Sequence, residues 1–89
     1  MDSDSIPVPD KEFTLEELDN ELLLYHPTKT TIVYMNQTAS IIWRLCDGKR
    51  TVFEIIDLIN SSYPEVGART REDVEATLKT FSDHGAITI

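Results

Sequence analysis

The stretch Asn36 to Ile56, NQTASIIWRLCDGKRTVFEII, constrains the fold of this chain more than any other. It reads as two short helices joined by one tight turn. Asn36 suits an N-cap, because its side-chain carbonyl can accept an orphan backbone N–H of the first turn. Ala39, Ile42, Trp43 and Cys46 then recur at i, i+3, i+4 and i+7, which is one apolar helical face. Asp47-Gly48 is expected to stop that helix, since Gly tolerates the left-handed conformation a helix C-terminus favours. Thr51-Val-Phe-Glu54 has the form of a capping box that starts the next helix. Val52, Ile55, Ile56 and Ile59 make its buried face. A helix–turn–helix here satisfies every local signal at once.

Size sets the scale of what surrounds it. The chain has 89 residues, enough for one small domain with a modest core. No apolar run reaches membrane-spanning length, and Met1 to Ile6 lacks the basic start and apolar centre of a signal peptide. With Cys46 as the sole cysteine, no internal disulfide can form, which points to a reducing, cytoplasmic location. The formal charge of −8 disfavours nucleic acid and anionic lipid as partners.

Residues 1–12, with Pro7, Pro9 and several Asp and Ser, are expected to be a flexible N-terminal segment ahead of a domain spanning 13–89. Phe13 to Leu24 fits two descriptions. Thr14-Leu-Glu-Glu17 has the form of a capping box, and Leu15, Leu18 and Leu22 have helical spacing. Phe13 to Leu18 and Glu21 to His26 equally fit two strands broken at the turn-favouring pair Asp19-Asn20. Thr30 to Met35 is rich in β-branched and aromatic residues, and His26-Pro27-Thr28-Lys29 before it suits a hairpin loop. Ile32 and Tyr34 fall on one face of that strand and Val33 and Met35 on the other, so both faces are expected to be covered.

Beyond the second helix, Tyr63 to Ala68 reads as a loop. Thr70 is expected to cap a third helix, with Val74, Leu78 and Phe81 as its inner stripe and Glu72, Asp73, Glu75, Asp83, Arg71 and Lys79 mostly toward solvent. Gly85 ends it, and Ala86 to Ile89 fits a short terminal strand or an extended tail. Strands followed by three helices make a winged-helix-like α+β arrangement.

Few residues point to chemistry. Trp43 shares a helical face with Ala39 and Cys46, which makes it a core residue, and Cys46 has no base beside it in sequence to activate the thiol. His26 and His84 are isolated from other ligand-type residues, so no metal site or cofactor is expected. There is no nucleophile elbow and no phosphate-cradling Gly loop. The chain reads as a non-enzymatic domain.

Met35-Asn36-Gln37-Thr38-Ala39, Ile42-Trp43-Arg44-Leu45 and Asp47 to Ile55 together resemble the PqqD family. That family carries Leu-Asn-x-Thr-Ala, Ile-Trp-x-Leu and Asp-Gly-x-Arg-Thr-Val-x-Glu-Ile in this order. Met35 stands where Leu is usual. Leu18 to Leu24 and Phe81 to Ile87 are also similar to it, so the likeness spans about residues 13 to 89. The resemblance implies a three-stranded antiparallel sheet followed by three helices, and favours strands over a helix for residues 13 to 26. It further implies a peptide-binding chaperone, or RiPP recognition element, as in pyrroloquinoline quinone biosynthesis. Such a domain holds the leader of a ribosomally made precursor peptide and presents it to a modifying enzyme, often a radical SAM enzyme. In that family the leader adds as a strand along the third strand, beside the third helix. Carried over, the peptide-binding residues are Thr30, Thr31, Ile32, Val33, Tyr34 and Met35 on the edge strand and Arg71, Val74, Glu75 and Leu78 on the helix. Arg71 and Lys79 would suit an acidic leader. Free edges also invite strand exchange between two copies, giving a homodimer.

Two other classes fit the element order. A winged-helix DNA-binding regulator shares it, but its recognition helix here would carry more acid than base, and phosphate contacts supply most non-specific DNA affinity. An enzyme-docking subunit without a peptide ligand fits the composition equally.

Overall fold

The computed structural model describes residues 2–19, 21–63 and 70–89. In chain order the elements are β1 (Val8–Pro9), β2 (Thr14–Leu18), β3 (Glu21–His26), β4 (Thr31–Met35), α1 (Gln37–Leu45), α2 (Val52–Ser62), α3 (Thr70–Asp83) and β5 (Ile87–Thr88). The fold is α+β: β2, β3 and β4 form an antiparallel three-stranded sheet in that order, followed by three helices. Thr14–Leu18 and Glu21–His26 are strands, which excludes the helical alternative. Asp19 sits at the expected break with φ +50°, a left-handed conformation that Asp tolerates. The rest of that turn, Asn20, lies outside the described residues, as does the expected loop beyond Tyr63.

The sheet register sorts its side chains. Leu24 pairs with Leu15 and Val33, and these three point into the core with Leu22, His26 and Met35 on the same face. Ile42, Val52, Ile55, Ile59, Val74, Leu78 and Phe81 from the helices close over them. The other face is open: Ile32 and Tyr34 are 44% and 70% exposed, so the expectation of cover on both faces fails. The helices pack on the core face of the sheet, and Ile32 and Tyr34 stand exposed on the other.

Local signals place the helix ends. Ala39 N–H donates to the Asn36 side chain at 2.8 Å. Thr51 and Glu54 form the reciprocal capping box, and Val52, Ile55, Ile56 and Ile59 are buried as expected. The α1 terminus differs from expectation. The helix ends at Leu45, and Cys46 N–H bonds back to Ile42 and Trp43 carbonyls, while the left-handed Gly48 lies two residues farther on, in the linking turn. That turn is organised by Asp47, whose carboxylate accepts from Lys49 and Arg50 N–H and pairs with the Arg50 guanidinium at 3.1 Å. Those backbone bonds hold the Asp47 carboxyl below its ordinary value. The turn is therefore best formed above the carboxylate range, and its bonds weaken as the pH falls through the lowered value. At α3, Gly85 with φ +75° completes a Schellman motif: Ala86 N–H bonds Phe81 O at 2.8 Å and Gly85 N–H bonds Ser82 O. Thr70, expected as the cap of α3, is its first helical residue and is buried.

Within the N-terminal segment expected to be flexible, residues 3–10 make backbone bonds to the rest of the fold. Val52 and Phe53 are the first residues of α2, whose N–H groups no helical carbonyl can reach. They donate to Ser5 and Ser3 carbonyls at 2.9 and 3.0 Å. Pro7 is fully buried, β1 pairs antiparallel with β5, and Asp10 N–H bonds Ala86 O. Composition marks such a segment as a tail because backbone bonding leaves no trace in residue type. His26 ties the same region to the sheet. Lys29 N–H donates to its Nδ1 at 3.1 Å, which leaves Nε2 to carry the proton and donate to Glu12 at 3.1 Å. The ring also stacks edge-on against Phe13.

Thr51→Ala removes the oxygen that accepts Glu54 N–H and is expected to cost about 1 kcal/mol in urea unfolding, with Thr51→Ser near wild type. Burial and the adjacent Asp47 push the Cys46 thiol up to about 12. At pH 8 only on the order of one native molecule in ten thousand then carries the thiolate. A disulfide reagent should label Cys46 slowly in the native protein and quickly in urea; rapid native labelling would contradict the burial.

Candidate functional site

The sheet has two outer strands, and they differ in chemistry. β2 reads TLEEL, and its glutamates are the kind of charge that blunts a free edge against pairing. β4 reads TIVYM, with no charge, proline or glycine. It pairs with β3 along one side, and no described strand lies along the other. Alternate residues of Thr31 to Met35 therefore direct N–H and C=O groups outward, ready for another strand.

A cleft runs beside that edge. Its first part, of about 160 Å³, is lined by Val33, Tyr34, Met35, Ala39 and Phe81 with Thr77 and Thr80. Its continuation, of about 230 Å³, is lined by Asn36, Thr38, Asp73, Ala76 and Thr77. The α3 wall is thus the stripe Asp73, Thr77 and Thr80, at i, i+4 and i+7. The floor is apolar, the rim is hydroxyl-bearing, and among the described residues of its lining Asp73 is the charged one. Trp43 braces the floor from below through an edge-on contact with Phe81, ring centroids 5.6 Å apart.

The expected site residues divide. Thr31, Ile32, Val33, Tyr34 and Met35 form the edge strand. Thr30 does not: its φ of +50° places it in the hairpin loop, where its hydroxyl donates to Lys29 O. Val74 and Leu78 are 1% and 0% exposed and belong to the core, so neither side chain faces a groove. Arg71 donates to Ser3 Oγ at 3.2 Å, and Glu75 lines a different depression with Asp2 and Ser5. Lys79 pairs with Asp83 at 3.2 Å. The helix face toward β4 is Asp73, Ala76, Thr77 and Thr80: the expected wall of Arg71 to Leu78 contains the first three, but they are not the side chains named for it. The signal available was the polar stripe one residue removed from the Val74, Leu78, Phe81 core stripe.

A larger depression of about 860 Å³ opens between α1 and the end of the sheet, with Glu17, Glu21 and Arg44 over Leu22 and Ile41. It offers scattered charges without an arranged acid–base pair. Among the described residues no three His, Cys, Asp or Glu side chains cluster as metal ligands, and no helix is long and apolar enough to cross a membrane. The cleft beside β4 differs in joining unpaired backbone groups to side-chain pockets, which is what recognition of an extended peptide requires.

Comparison with known proteins bears on the fold and the family. A structure described as TbiB1 in complex with the TbiA(beta) leader peptide superposes with a TM-score of 0.70 at 21% identity, over 90% of this chain and 93% of that one. It shares the fold. No curated protein matches the chain. The family described as coenzyme PQQ synthesis protein D (PqqD) matches residues 21–87, from the first residue of β3 into β5. The chain belongs to the PqqD family.

Proposed function

We propose that this chain is a non-catalytic peptide chaperone. It binds the leader of a ribosomally made precursor peptide by strand addition along Thr31 to Met35 and presents it to a modifying enzyme of the radical SAM class, as in pyrroloquinoline quinone biosynthesis. The observation that carries this reading is the uncharged free edge of β4 lying against the cleft walled by Asp73, Thr77 and Thr80. Membership of the PqqD family and a shared fold with a protein solved with a leader peptide support it.

Backbone pairing supplies affinity with little sequence reading, and the cleft supplies selection. Side chains alternate along an added strand, so every second leader residue faces α3. One of these meets the apolar floor at Val33 and Phe81; another meets Asp73 and the hydroxyls. Arg71 and Lys79 are engaged elsewhere, so the match to an acidic leader is replaced by a preference for a hydrogen-bond donor or cation opposite Asp73. A single added strand buries less than a standard interface of roughly 1,600 Å² and orders a disordered peptide, which places the affinity at about micromolar. The chain works in the cytoplasm, where the unpaired Cys46 stays a thiol.

Titration of labelled protein with a synthetic leader of the precursor encoded beside it should give saturable NMR shifts at Thr31 to Met35 and at Asp73, Thr77 and Thr80. Thr77→Tyr, which fills the cleft from its exposed wall, should weaken binding at least tenfold while leaving the fold intact by circular dichroism. Unchanged affinity in a folded Thr77→Tyr, or shifts confined to other surfaces, would contradict the reading.

A further inference from the structure

The face of the sheet turned away from the helices has an ordered composition. Its register rows are Leu18 with Glu21, then Glu16, Leu23 and Tyr34, then Thr14, Tyr25 and Ile32. Leu18 is 58% exposed, Ile32 44% and Tyr34 70%, which is unusual for large apolar side chains sharing one face. Leu23, at 7%, is buried among these neighbours without belonging to the main core. The charges on the face are Glu16 and Glu21, both acidic, and none of β2, β3 and β4 contains a lysine or arginine. An apolar centre with an acidic margin is a binding surface with a stated complement.

We infer that this open sheet face docks the modifying enzyme through an apolar patch rimmed by lysine and arginine on that enzyme, an inference that rests on the leader-binding reading. Charge selects this occupant. A second copy would set an equally acidic face against Glu16 and Glu21 in a chain of net charge −8, where like charges oppose association. Position gives the surface its use. β4 presents its edge to the leader and its Ile32 and Tyr34 side chains to this face. A leader strand paired to β4 extends the same sheet, so its outward side chains become a further column of the docking surface. The enzyme then meets carrier and leader together, and each binding event strengthens the other by the same factor.

Glu16→Lys and Leu18→Arg are the variants of choice, because both residues are exposed and lie on β2, with β3 between them and the leader edge. The probes are the purified modifying enzyme encoded beside the precursor peptide and the synthetic leader, each titrated against wild type and both variants. Wild type should bind the enzyme more weakly as salt is raised and more tightly with leader present. The variants should lose at least tenfold in enzyme affinity and keep their leader affinity. Wild-type enzyme affinity in both folded variants overturns this inference while leaving leader binding in place. Failure of the wild type to bind the leader overturns the underlying reading instead. Self-association of the wild type at micromolar concentration that Leu18→Arg abolishes assigns the face to a second copy and likewise overturns the proposal.

Discussion

The bond from Ala39 N–H to the Asn36 side chain, 2.8 Å long, is where the chain leaves the sheet. Met35 is the last residue of β4 and Gln37 the first of α1, so Asn36 has a single residue in which to change from extended to helical backbone. A side chain that caps immediately makes that possible. The described elements that follow are α1, α2 and α3, and the strand after them, β5, pairs with β1 in a separate two-stranded sheet. The sheet therefore stops at β4. A chain that continued as a strand at this point would have covered the edge on which the proposed function depends.

An uncovered edge is a hazard as well as a site, since it is a template for any extended chain. The two outer strands show opposite treatments. β2 carries Glu16 and Glu17, whereas β4 carries neither charge nor proline. Protection of β4 comes from its surroundings. α3 stands alongside it, so an incoming strand has to fit its alternate side chains between Thr77, Thr80 and the apolar floor. The net charge of −8 adds a general repulsion between copies. At the proposed site, a partner strand has to satisfy the cleft as well as the edge.

Features fixed by a few adjacent residues were legible in the sequence. Asn36, the Thr51–Glu54 box and the Val52, Ile55, Ile56, Ile59 stripe act over one or two helical turns, and each appears as expected. Gly85 likewise marks the end of α3, because glycine adopts its φ of +75° with no Cβ to clash. Which polar stripe of α3 faces β4 was not legible. Periodicity separates Val74, Leu78 and Phe81 from the polar residues, but Asp73 and Arg71 look alike until the helix is rotated into place against α1 and α2. Docking of the N-terminal segment was hidden for a different reason. Ser3 and Ser5 meet α2 through their carbonyls, which every residue possesses.

The same segment links the far end of the structure to the cleft. Ser3 and Ser5 satisfy the first N–H groups of α2, β1 pairs with β5, and Ser3 Oγ accepts from Arg71 at the start of α3. The helix that walls the cleft is thus held from behind at its first turn by Arg71, and just past its last turn by Ala86, whose carbonyl accepts from Asp10 and whose own N–H closes the Schellman motif. The proposed strand addition gains from this, because a wall already in place loses little further freedom when a peptide arrives. The ordering cost then falls mainly on the leader. Binding of that kind is specific yet reversible, which suits the proposed role of a carrier that hands its peptide on and then releases it.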